Sequence, residues 1–102
     1  MTVYNKLVRD RIPEIIAQGG EKPNIRILDE QEYLQLLHAK LDEEVGEFHR
    51  DKNLEELADI LEVVYALAQL HGGREELDRM YKRKHDARGG FEERVFLISK
   101  ES

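Results

Sequence analysis

The sequence predicts a mainly α protein of about four helices, built around an antiparallel helical hairpin and carrying a small β element. Three observations predict it. Apolar residues recur at helical spacing through the middle of the chain, Gly-Gly pairs at 19–20, 72–73 and 89–90 punctuate it, and two short β-prone runs lie outside the longest helical stretch. The 102 residues are 40% hydrophobic and 37% charged, with two Pro, and show no repeat or low-complexity tract, which fits one domain spanning 1–102.

The first helix is expected across 11–18. Ile12, Ile15 and Ile16 supply its apolar side, Pro13 suits a first turn where its missing N–H is not needed, and Gly19-Gly20 stops it. Its lead-in is basic, with Lys6, Arg9 and Arg11. Ile25-Arg26-Ile27-Leu28 follows Pro23 and alternates, so a short strand is expected there, and a second at Arg94-Val95-Phe96-Leu97-Ile98. A lone strand leaves its backbone groups unpaired, so the two runs are expected to pair with each other or with a partner chain. The second helix is expected from Asp29 or Glu30 to Arg50, with Leu34, Leu37, Leu41, Val45 and Phe48 on one stripe. A third should run from near Asn53 to near His71, and a fourth from Arg74 to Arg88.

The formal net charge of −6 argues against a general nucleic-acid binder, which is more often basic. With no Cys the chain has no disulfide and no thiolate chemistry. No apolar run approaches the roughly 18 residues of a membrane span, and Met1 to Lys6 lack the apolar core of a signal peptide, so a cytoplasmic address is expected. There is no Gly-rich phosphate loop, no nucleophile triad, and no ligand spacing among His38, His49, His71 and His85.

The chemistry concentrates in two acidic pairs. Glu44 and Glu47 stand three residues apart, as do Glu56 and Asp59, a spacing that puts each pair on one helical face. With Leu41 as reference and about 100° per residue, the apolar stripe of the second helix lies within about 40°, Glu44 at about 60° and Glu47 at about 120° on the same side. Glu43 points to the solvated side. On the third helix Leu57, Leu61, Val64 and Ala68 form the main stripe, and Ile60, Val63 and Leu67 widen it to one side. Glu56 falls in that aliphatic column and Asp59 just past its edge. A carboxylate in an apolar column is costly unless paired or metal-bound. Each pair alone also reads as solvated helix surface, and Asn53-Leu54-Glu55-Glu56 as an N-capping pattern. Two pairs flanking the short connection Phe48 to Lys52 face each other in a hairpin, and four hard oxygen donors suit Mg²⁺ or Mn²⁺.

These residues resemble the all-α nucleotide pyrophosphohydrolases of the MazG-like superfamily. Glu43-Glu44-Val45-Gly46-Glu47 and Glu56-Leu57-Ala58-Asp59 look like that family's Glu-Glu-x-x-Glu and Glu-x-x-Asp runs. The stretch from Tyr4 to Ile16 resembles the opening of its phosphoribosyl-ATP pyrophosphohydrolase-like subgroup, and Arg88-Gly89-Gly90-Phe91, with Arg94 and Leu97, resembles the ending. The resemblance implies Mg²⁺-dependent hydrolysis of a nucleoside triphosphate, standard or not, to the monophosphate and pyrophosphate. It implies a metal held by Glu44, Glu47, Glu56 and Asp59. In the mechanism these residues could support, one of the four, Glu44 being the first candidate, takes the proton of the attacking water. The resemblance also implies a homodimer or higher assembly in which a neighbour completes the site. Lys6, Arg9, Lys84 and Arg88 are the candidate phosphate contacts, although cations at the end of the fourth helix also complement its macrodipole. Phosphoribosyl-ATP is an alternative substrate, and a non-catalytic helical dimerisation module an alternative function.

Overall fold

The computed structural model describes residues 1–102 and contains four helices: α1 (Ile12–Gln18), α2 (Glu30–Asp51), α3 (Leu54–Gln69) and α4 (Arg74–Arg88). All four fall close to their expected ranges because the signals that bound them are local. Pro13 occupies the first turn of α1. The Asp29 side chain caps α2 by accepting from the Glu32 N–H at 2.9 Å, and Asn53 caps α3 by accepting from the Glu56 N–H at 3.0 Å. Gly72 and Gly73 join α3 to α4 at φ 117° and 100°, a region that side chains with a Cβ rarely enter.

The central feature is the α2–α3 hairpin. Lys52 takes a left-handed conformation (φ 52°), its N–H donates to the Phe48 carbonyl at 2.8 Å, and Asn53 opens the next helix. The connection is thus only Lys52-Asn53, tighter than the expected Phe48 to Lys52, and the two helices fold back along each other. α4 packs only against α3, where the Arg74 guanidinium lies 3.7 Å over the Tyr65 ring. α1 packs against no other helix.

Between α2 and α3, Leu37, Val63 and Ala68 are buried. Leu34, Leu41, Val45 and Phe48 flank them from α2, and Ile60, Val64 and Leu67 from α3, all half-buried. Here the expected main stripe of α3 needs correction. Leu57 and Leu61 stay 44% and 48% exposed, because α2 lies on the Ile60–Val63–Leu67 flank instead. A helix that is apolar over so wide an arc has more than one face to bury, and angular position alone does not choose between them. The choice made here carries Glu56 and Asp59 toward α2.

The expected β element is also corrected. No strand forms at 25–28 or 94–98, and Ile25, Ile27, Val95, Phe96, Leu97 and Ile98 are all exposed. Both runs lie in connecting and terminal segments, and neither has a second edge beside it to take up its backbone groups. The chain is correspondingly drawn out, 64 Å in its longest dimension with a radius of gyration of 18.4 Å. A compact domain of this length would have about 13 Å. No helix is long and apolar enough to cross a membrane.

Candidate metal centre

Glu44 is the one buried charged residue in the molecule, 7% exposed. It is carried there by the same α2 face that holds Leu37 and Leu41. Across the hairpin, Glu56 and Asp59 project from the first two turns of α3. One carboxylate oxygen from each of Glu44, Glu56 and Asp59 lies within 4.8 Å of the other two. Two of the four predicted ligands thus come from the third helix and one from the second, and all three meet at the closed end of the hairpin. Glu47, half-buried one turn after Glu44, flanks this set without joining it at that distance. Glu43 is exposed and turned outward, as its angular position predicts, with Lys6 Nζ and Lys40 Nζ each 3.6 Å from it.

The electrostatics of the cluster are unfavourable without added positive charge. Glu44 Oε2 and Glu56 Oε2 are both shielded from solvent and without a hydrogen-bond partner. Burial, followed by the adjacent Glu47 carboxylate, raises the Glu44 pKa above the ordinary value, while Lys40 acts in the opposite direction. Burial likewise raises that of Glu56, helped by the charges of Glu47, Asp51, Asp59 and Glu44. The capping pattern is therefore only half realised. Asn53 receives the Glu56 backbone N–H, but the Glu56 carboxylate turns into the acidic cluster.

The donor set fits a hard divalent cation. Mg²⁺ takes oxygens at about 2.1 Å, so ligands across the ion stand about 4.2 Å apart, and Mn²⁺ suits the same oxygen donors. The observed separations, up to 4.8 Å, are within small side-chain adjustments of that spacing. The two orphaned oxygens offer lone pairs with nothing else to receive them.

The four predicted cations divide. Arg9 is at the cluster, with Nη2 donating to Asp59 Oδ1 at 2.6 Å and Nη1 3.8 Å from Glu62 Oε1. Lys6 is one step removed, on Glu43. Lys84 and Arg88 are exposed on α4, make no ion pair, and are not brought to the cluster within one chain. Sequence reasoning missed Lys40, whose Nζ lies 3.3 Å from Glu44 Oε1. Its signal was present: Lys40 precedes Glu44 by four residues, the spacing at which helical side chains meet.

No family model and no solved structure matches the chain. A protein of Mycolicibacterium smegmatis (strain ATCC 700084 / mc(2)155), described as an uncharacterized protein, is 54% identical over 54 residues, which cover 49% of this chain and 55% of that one. The chain thus spans little more than half the length of the curated relative it matches, and the description of that relative names neither a ligand nor an activity.

Proposed function

We propose that the protein is a Mg²⁺-dependent nucleotide pyrophosphohydrolase of the MazG-like kind, converting a nucleoside triphosphate to the monophosphate and pyrophosphate. One observation carries the reading: a buried carboxylate with an orphaned oxygen, Glu44, meets two carboxylates of the facing helix at ion-binding distance. The nucleotide and the bond cleaved come from the resemblance of the acidic runs and the two chain ends.

In this reading Glu44, Glu56 and Asp59 hold the ion, with Glu47 as the fourth carboxylate. Such an ion, when bound, neutralises phosphate oxygens and acidifies a coordinated water. Water attacks the α-phosphorus, the α–β anhydride bond breaks, and pyrophosphate leaves. One of the four carboxylates takes the water's proton instead of only binding the ion. Arg9, already beside Asp59, and Lys6 neutralise the polyphosphate from the N-terminal side.

The assembly belongs to the same reading. Lys84 and Arg88 are unpaired and remote from their own acidic cluster, and α3 leaves Leu57 and Leu61 uncovered. A homodimer or higher oligomer would bury that face and bring a second copy's α4 cations to the site. A cytoplasmic role in clearing non-standard nucleotides fits this activity, with phosphoribosyl-ATP as the alternative substrate.

The test is pyrophosphate release from a panel of nucleotides, including non-standard ones and phosphoribosyl-ATP, with Mg²⁺ or Mn²⁺ and with chelator. Release that requires the ion supports the reading, and the preferred nucleotide fixes the substrate. No release from any nucleotide, together with an oligomer that persists, favours a non-catalytic dimerisation module.

A further inference from the structure

We propose that Arg9 serves as a resident cation at the rim of the acidic cluster, and that binding of a divalent ion exchanges it, freeing Arg9 from the α2–α3 hairpin and loosening the segment Met1–Arg11, which Lys6 then ties to Glu43. This rests on the metal reading above and adds a conformational device to it.

The attachment of that segment is mostly ionic. Arg9 reaches Asp59 at 2.6 Å and Glu62 at 3.8 Å on α3, while Lys6 reaches Glu43 at 3.6 Å on α2. Within residues 1–11 only Leu7 is even half-buried, and α1, which follows, packs on no other helix. Little apolar contact therefore holds the segment once its charges are satisfied elsewhere.

Arg9 answers only the outer part of the acidic charge. Its side chain and that of Asp59 are 54% and 40% exposed, and its guanidinium hydrogen-bonds a single cluster oxygen, Asp59 Oδ1. Glu44 Oε2 and Glu56 Oε2 remain unpartnered behind it. A bare divalent ion is smaller than a guanidinium and carries twice the charge, so it can engage the inner oxygens together with Asp59. Once there it repels the neighbouring guanidinium and takes over the partner that held it. The chain keeps the freed Arg9 close to the ion, where the phosphate of an arriving nucleotide is its next anionic partner.

Two measurements on the full chain test the exchange. In calorimetric titrations with MgCl₂ and MnCl₂, Arg9→Ala should bind the ion roughly fivefold tighter than wild type, the gain expected from removing one exposed competing ion pair. Arg11→Ala should bind as wild type does, because Arg11 pairs with Glu14 of α1, at 3.2 Å, and with no group of the cluster. Trypsin should cut wild-type protein after Arg9 several-fold faster in MgCl₂ than in NaCl of equal ionic strength, a match that removes simple screening. Equal affinity in wild type and Arg9→Ala, equal gains in both variants, or cleavage indifferent to Mg²⁺ would overturn the exchange. If wild type binds neither ion, the metal reading falls and the exchange with it; if it binds but Arg9→Ala gains nothing, the exchange alone falls.

Discussion

Lys40 and Glu44 stand one turn apart on α2 with Nζ 3.3 Å from Oε1, and no other ion pair in the molecule is as shielded, its side chains being 19% and 9% exposed. This ammonium is the one protein charge that stabilises the buried glutamate before any ion arrives. Lys40→Met should lower the stability of the metal-free protein at neutral pH by about 1–2 kcal/mol, part of the cost of leaving a shielded charge without its partner. Saturating Mg²⁺ should return most of that loss. Denaturant melts with and without the ion measure both.

Glu44→Gln and Asp59→Asn should each abolish ion-dependent turnover and weaken Mn²⁺ binding at least tenfold while leaving far-UV helicity nearly unchanged. Neither side chain caps a helix end. For Glu44→Gln the metal-free protein should change little in stability at neutral pH, because a desolvated charge is removed while Lys40 keeps only Glu43, at 3.6 Å, as a partner. Full turnover in both variants would end the metal-centre assignment.

The pH dependence has a definite sign. Glu44 and Glu56 have folded-state pKa values above the ordinary 4.5, so just above that pH the folded chain holds protons that the unfolded chain has released. Their contribution to stability is therefore full below about pH 4.5 and is lost as pH rises through the raised folded values. Glu32, lowered by its hydrogen bond and charge pairing with Arg26, has the opposite sign, so the informative quantity is a difference. Wild type minus Glu44→Gln should fall with rising pH in the metal-free protein. Ion affinity should climb over the same interval, since the ligand form is the deprotonated one. A flat difference curve would show that Glu44 titrates as a solvated glutamate.

Leu57→Glu and Leu61→Glu place charge on the uncovered side of α3, one turn apart and away from Leu37 and Val63. If this face joins two copies, either change should shift the sedimentation profile from an oligomer to a monomer with little loss of helix content. Wild-type protein that sediments as a monomer at micromolar concentration would remove the assembly from the proposed function.

The helices and their ends were legible in the sequence because their determinants are short-range. Asp29, Asn53, Pro13 and the Gly72-Gly73 pair act within a few residues of where they stand. The acidic cluster was legible because Glu56 falls in an aliphatic column, where a charge needs a reason to be. What the sequence left open depends on which surfaces meet. The width of the apolar arc on α3 concealed that Ile60 and Val63, not Leu57 and Leu61, would face α2. The β propensity of Ile25–Leu28 and Val95–Ile98 is real as composition, but a strand exists only beside another, and one chain supplies no neighbour to either run. Lys84 and Arg88 illustrate the same limit. Their spacing puts them on one face, but only the packing of α4 decides what that face meets.

The spacing of Glu56 and Asp59 on α3 leaves the pocket no slack. A single residue inserted within α3 between Glu56 and Asp59 would turn Asp59 by about 100° relative to Glu56 and carry it away from Glu44. The cluster is thus phased by the screw of the helices that carry it. Point changes at the acids alter one donor, whereas such an insertion would break the constellation while every donor remained in the chain.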